Sequence, residues 1–149
     1  MIPATSQRVP RHTSEQINAK IRREMEQRVA RYRHAAPGEI DRRLRELDQE
    51  WDVERMLETN ASAIAFTGCA LAATADRRWL VLPLVVTGFL FQHAIQGWCP
   101  PLPVIRRFGF RTMREIDDER QALKILRGDF RQIADDGVPA SEIIGAVGR

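Results

Sequence analysis

Cysteine is almost missing from this sequence. Its two copies, Cys69 and Cys99, are too few for a disulfide framework and stand at no metal-ligand spacing, so a small disulfide-stapled fold and a structural zinc site are both excluded. Recognisable catalytic patterns are missing as well: there is no G-x-G-x-x-G, no G-x-x-x-x-G-K-[ST] and no Ser/His/Asp set. Aromatic residues make up 7% of the chain and do not interleave with its basic stretches, which leaves nucleic acid little to stack on. The net charge of +3 is a small difference between 23 basic and 20 acidic residues, so charge makes no case for nucleic acid either. The first thirty residues contain no apolar core of signal-peptide type, so any membrane insertion has to use internal segments.

The most informative absence is local. From Thr59 to Ala75 there is no Asp, Glu, Lys or Arg, and from Trp79 to Ile105 there is again none. Only Asp76, Arg77 and Arg78 separate the two blocks. The flanks carry the charge instead: 12 basic residues precede residue 60, nine follow residue 105, and the two flanks hold 19 of the 20 acids. At 149 residues the chain is sized for one domain with extensions.

What is present reads as all-α. Residues 1–13, with two prolines, are expected to be disordered. A basic amphipathic helix follows over 14–36, with Thr13–Gln16 resembling a capping box. Its narrow stripe of Ile17, Ile21, Met25, Val29 and Tyr32 suits a membrane surface, a partner helix or a merely solvated helix. Pro37-Gly38 breaks it. A second amphipathic helix over 39–58 carries Ile40, Leu44, Leu47 and Trp51 at coiled-coil-like spacing.

The uncharged blocks predict a transmembrane hairpin over 59–98, with spans at about 61–75 and 79–97. As helices these would be roughly 22 and 28 Å long, against a hydrocarbon core of about 30 Å. Trp79 and Trp98 stand at the ends of the second span as interfacial anchors, with Arg106 and Arg107 beyond. Gly68 and Ala72 give the first span a small face on which Gly88 of the second can pack. Because the DRR turn permits only an antiparallel pair, both flanks share one side, and the positive-inside rule puts both termini in the cytoplasm of a bacterial inner membrane. A buried hairpin in a soluble all-helical protein would read the same way.

Beyond the CPPLP exit, Thr112 to Glu115 forms a second capping box for a helix over 112–128 that begins at Met113, with Gly128 as its stop. The tail, 129–149, has room for one short helix from Ser141. Arg127-Gly128-Asp129 spells an integrin-binding tripeptide and coincides with that helix stop.

Two residues are chemically open. His93 shares a helix face with Gln96, with Gln92 close by, which allows a haem ligand, a proton relay or a quinone contact, although a bis-His haem would need a second chain. Cys99, followed by Pro100 and Pro101, is a candidate thiol. The acid pairs Asp117-Asp118 and Asp135-Asp136 lie in charged surroundings that need no catalytic explanation.

The stretch from about Ile40 to Phe130, with IDRRLRELDQEWDVERMLETNAS, QHAIQGWCPPLP and RRFGFRTMREIDDERQALKILRGDF, resembles a bacterial small inner-membrane protein family: the two-helix transmembrane domain appended to YgaP-type membrane rhodaneses. The resemblance implies an inner-membrane hairpin near sulfur metabolism, possible as a dimer. No rhodanese domain is present, so sulfurtransferase activity does not carry over. The expectation is therefore a non-enzymatic, structural, scaffolding or accessory membrane protein. It would have no cofactor or metal, and its partners would be the lipid bilayer and a second copy or another membrane protein. The alternatives are a thiol or sulfur-handling protein using Cys99 and a soluble helical interaction protein.

Overall fold

The protein is all-α. The computed structural model describes residues 4–131 and 139–148, and among these there are eight α-helices and no strand. The chain divides into two compact units, each discontinuous in sequence: Met1–Ile21 with Trp51–Met113, and Arg22–Glu50 with Arg114–Arg149.

The first unit begins with α1 (Arg8–Arg11), which corrects the expectation of a disordered N-terminus. Val9 is buried with Val53, Leu57, Cys99, Leu102 and Ile105 in one apolar cluster. Burying a valine side chain removes apolar surface worth roughly 1.5–3 kcal/mol, enough to hold a short segment that propensity alone would leave loose. The remainder of that expectation, residues 1–3, lies outside the described residues.

The principal helices of this unit are α4 (Val53–Thr74) and α5 (Val81–Gln96). Asp52 starts α4 by accepting a hydrogen bond from the Arg55 amide at 2.8 Å, while the Val53 amide donates to the Arg111 carbonyl at 2.9 Å. Asp76 caps the connecting turn by accepting from the Arg78 amide at 2.7 Å. The turn is short, so the two helices pair antiparallel with Gly68 facing the start of α5. A Cβ on Gly68 would fall 2.6 Å from Pro83 Cδ and 3.2 Å from Leu82 Cβ. Gly88, expected to meet this small face, looks into open space: a Cβ added there would meet nothing within 4 Å. The turn fixes the register so that position 68 pairs with 82–83, well short of 88.

One helical segment among the described residues is long and apolar enough to cross a membrane, Arg77–Gln96. The expected partner span does not reach that standard. Glu58, Thr59 and Asn60 interrupt the apolar character of α4, and the turns beyond them are dominated by small residues, alanine above all. α5 ends at Gly97, whose φ of +80° is open to glycine and strained for other residues. A short α6 (Leu102–Arg107) follows the prolines and stops at Gly109.

α2 (Glu15–Arg31) has its first turns in this unit. Ile21 is buried, and Asn18 donates to the Pro10 carbonyl at 2.9 Å. That part of the basic helix is packed against its own chain.

In the second unit, α3 (Pro37–Gln49) opens with proline at its first position, where no amide is needed. It buries Ile40, Leu44 and Leu47 against Ile116 and Leu123 of α7 (Met113–Arg127), with Tyr32, Ala35 and Leu126 packed alongside. Trp51, expected on the same stripe, lies past the helix end, 40% exposed, with the Arg55 guanidinium 4.5 Å from its ring centre. Buried Glu119 accepts from Arg28 Nε at 3.1 Å and Arg43 Nε at 3.0 Å. Gly128 ends α7 at φ +91°, and Arg127 pairs with Asp129 and Asp41, so the integrin-like tripeptide is a helix stop. In α8 (Ala140–Gly148), the Val147 carbonyl accepts from Lys124 at 2.6 Å. Asp135-Asp136 lies outside the described residues.

Candidate functional site

The two chemically open residues come together. His93, on the last turns of α5, is 1% exposed, and Cys99, just past the helix stop, is 3% exposed. The thiol lies against the imidazole. On its other side the ring meets a residue that sequence reasoning did not single out: His93 Nε2 is 3.0 Å from Glu54 Oε2, in the first turn of α4. A second unforeseen residue completes the chain of contacts. Arg8 donates to Glu54 Oε1 at 2.8 Å and to the Ala94 carbonyl at 2.8 Å.

Each position has a local cause. Asp52 caps α4 and so places Glu54 in the first turn of the helix, where an acid is also favoured by the N-terminal dipole. Gly97 allows the chain to turn sharply after His93 and the α1 backbone to approach. A Cβ at Gly97 would lie 2.6 Å from the backbone carbon and oxygen of Arg8. The glycine is therefore required twice, once for its φ and once for this contact.

The electrostatics follow from the geometry. The Glu54 carboxylate is held below the usual carboxylate range, first by the hydrogen bond from His93 and then, against the opposing effect of burial, by Arg8. An ionised Glu54 can only accept, so His93 carries hydrogen on Nε2 and donates the hydrogen bond. His93 Nδ1 is buried and has no hydrogen-bond partner of its own. With the ring enclosed and Nε2 committed to Glu54, His93 is a link between two side chains rather than an open haem ligand.

Cys99 also forms part of the wall of an apolar cavity of about 640 Å³, with Leu57, Ala61, Ile64, Phe89, Leu90 and Val104 among the lining residues. That volume lies within the roughly 300–1,000 Å³ of small-molecule sites. Asn60 is the single polar amide in its wall.

Other expected residues fall elsewhere. Arg106 is fully buried and so does not serve as an interfacial anchor. Its guanidinium donates to Thr13 Oγ1 at 3.2 Å, the Phe110 carbonyl at 3.0 Å and Asn18 Oδ1 at 2.9 Å, because burying this cation requires its donors to be satisfied inside. Arg107 is exposed, Trp79 is 45% exposed at the hairpin turn, and Trp98 is half-buried. Ala72 is half-buried, and Cys69 lies exposed on α4. Among the described residues no three His, Cys, Asp or Glu side chains are grouped to hold a metal ion.

Comparison with protein-family models, curated proteins and solved structures finds no match to this chain. The class defined by fold and site is an all-α protein with an outward-facing apolar helix and, at its base, buried His93 and Cys99 joined to half-buried Glu54 and Arg8.

Proposed function

We propose that the chain is a small integral protein of the bacterial inner membrane. The α4–α5 hairpin enters the bilayer, and the amphipathic helices on the cytoplasmic side act as a scaffold for a second copy or a membrane-protein partner. One observation carries the reading: only 6% of the span Arg77–Gln96 is buried inside the protein. Leu84 is 73% exposed, Phe91 70%, and Phe66 on α4 76%. In water such a contiguous apolar surface invites association, whereas in hydrocarbon it is the expected exterior.

The span is 20 residues long, which as a helix gives about 30 Å, the thickness of the bilayer core. α4 is the less apolar member and relies on α5 for company, through the close approach at Gly68. The tight turn keeps both flanks on one side. Exposed Arg107 and the charged helices beyond it favour the cytoplasm for that side.

The test is alkaline carbonate extraction of membranes from cells expressing the full chain, followed by size analysis with and without detergent. Retention in the pellet and a need for detergent are expected. Recovery as a monodisperse soluble protein would refute the reading and favour a soluble assembly with the hairpin covered by a second copy.

A further inference from the structure

The apolar cavity is open along one side, since Ile64 on α4, Phe89 on α5 and Val104 on α6 belong to its wall and are 42%, 39% and 52% exposed. Its α4 wall is one helix face: Leu57, Asn60, Ala61 and Ile64 stand at i, i+3, i+4 and i+7. Val86, Phe89 and Leu90 repeat the start of that spacing on α5. No charged side chain lines the groove, so an ionised group would find no partner inside it. Whatever lies in it is hydrocarbon.

Two groups toward the charged flank add polar chemistry. Asn60 Nδ2 donates one hydrogen to the Met56 carbonyl at 2.7 Å and has a second to give. Arg107 follows Val104 by three residues, which makes the two neighbours on the α6 surface, and it is exposed and paired with no other described residue. From Ile64 toward the flank the order is thus an apolar wall, an amide donor and a cation. A membrane phospholipid has the same order: acyl chain, ester carbonyl, phosphate.

We infer that the groove holds one anionic phospholipid of the cytoplasmic leaflet, with an acyl chain along α4 and α5, an ester carbonyl at Asn60 and the phosphate at Arg107. The inference rests on the bilayer reading above, which supplies the lipid. A zwitterionic lipid brings its own cation to the neighbourhood of Arg107 and is held less tightly. The apolar helices of a second copy could fill the groove but would leave Arg107 unanswered, since neither 59–75 nor 79–105 contains an acid.

The experiment mixes full-length protein, purified in detergent, with phosphatidylglycerol or phosphatidylcholine and reads bound lipid by native mass spectrometry. One phosphatidylglycerol per chain is expected, held about five-fold more tightly than phosphatidylcholine, the worth of one basic residue at an anionic lipid surface. Arg107→Gln should bring the two lipids level. Ala61→Phe, which fills the groove, should lose both, and Val104→Gln, at an exposed wall position where folding is not at stake, should weaken both. Carbonate extraction of the same chains separates this site from the bilayer reading, because wild type and all three variants are expected to stay in the pellet. Pelleted wild type with no retained lipid, a lipid preference that survives Arg107→Gln, or undiminished binding in Ala61→Phe and Val104→Gln would overturn the site and leave the bilayer reading standing. A dimer in place of the lipid adduct, split by Ala61→Phe, would assign the groove to a second copy and overturn it too. Wild type extracted by carbonate would refute the bilayer reading and this inference with it.

Discussion

Replacing Leu84 by arginine separates a bilayer exterior from an aqueous one, because the two environments give very different costs. Leu84 is 73% exposed on α5 and is the eighth of the 20 residues in Arg77–Gln96, close to the middle of the span. On insertion scales leucine at mid-span contributes about −0.3 to −0.6 kcal/mol and arginine about +2.5 to +3.5, so the exchange costs roughly 3–4 kcal/mol, or about 100- to 1,000-fold in the insertion equilibrium. If that face met water, the same exchange would swap one exposed side chain for another and change stability by within about 0.5 kcal/mol. Phe108→Arg is the control: it is 79% exposed but lies beyond α6, outside the uncharged block, and its expected effect is small in either environment. The assay is the carbonate-resistant fraction of wild type, Leu84→Arg and Phe108→Arg at matched expression. A large loss confined to Leu84→Arg is expected. Equal recovery of all three chains in the membrane pellet would place Leu84 outside the hydrocarbon, and equal recovery in the soluble fraction would exclude a bilayer.

Further outcomes follow from the packing and charges. Gly97→Ala forces a side chain into a left-handed conformation, at about 1–2 kcal/mol, and against the Arg8 backbone, so a clear fall in melting temperature is expected. Gly88→Ala has open space and a helical backbone, and should be neutral or stabilising by up to about 1 kcal/mol in the same melting assay. Glu119→Gln removes the carboxylate that pairs with Arg28 and Arg43. The expected cost is about 2–4 kcal/mol by denaturant titration, toward the low end for buried pairs because both arginines keep some water contact. Glu54, whose carboxyl is held below its ordinary pKa, stabilises the fold fully above that ordinary value, and the contribution is lost as pH falls through the lowered one. Thermal melts on the acid side of about pH 4.5 should therefore fall more steeply for wild type than for Glu54→Gln, whose folded state lacks the group that must protonate.

Where the sequence was readable, the signal was local. The Thr112–Glu115 pattern, the apolar positions Ile116 and Leu123, and Gly128 are enough to delimit α7, because capping and glycine stops act over a few residues. The stripe Ile40, Leu44, Leu47 likewise identifies the buried face of α3. Its extrapolation to Trp51 failed because Asp52 starts a new helix, and an acid inside a charged stretch gives no break as plain as proline or glycine. Of the four joined side chains, His93 and Cys99 stood out by type and place, but their partners did not. Glu54 is 39 residues from His93, and Arg8 is 46 from Glu54 and sits in a segment with almost no apolar pattern. Only the fold makes them neighbours. The burial of Arg106 was hidden for the same reason, since a hydroxyl, a carbonyl and an amide oxygen satisfy it, and none of these marks itself in the sequence.

The interleaving of the two units along the chain sets an order of events during synthesis. The first unit needs residues up to 21 and then 51–113, and the second needs 22–50 and then the stretch from 114. Neither can close on its own early residues. Arg8 waits for Glu54 and then for the α5 terminus at Ala94, while Ile40, Leu44 and Leu47 stay uncovered until Ile116 and Leu123 emerge. The apolar hairpin emerges from the ribosome ahead of α7, so it meets its surroundings while α3 still exposes its seam. A chain stopped near residue 113 would keep the hairpin and the contacts of His93 but leave that seam open. Its fate would then depend on what meets α3 first, a chaperone or another copy caught at the same stage.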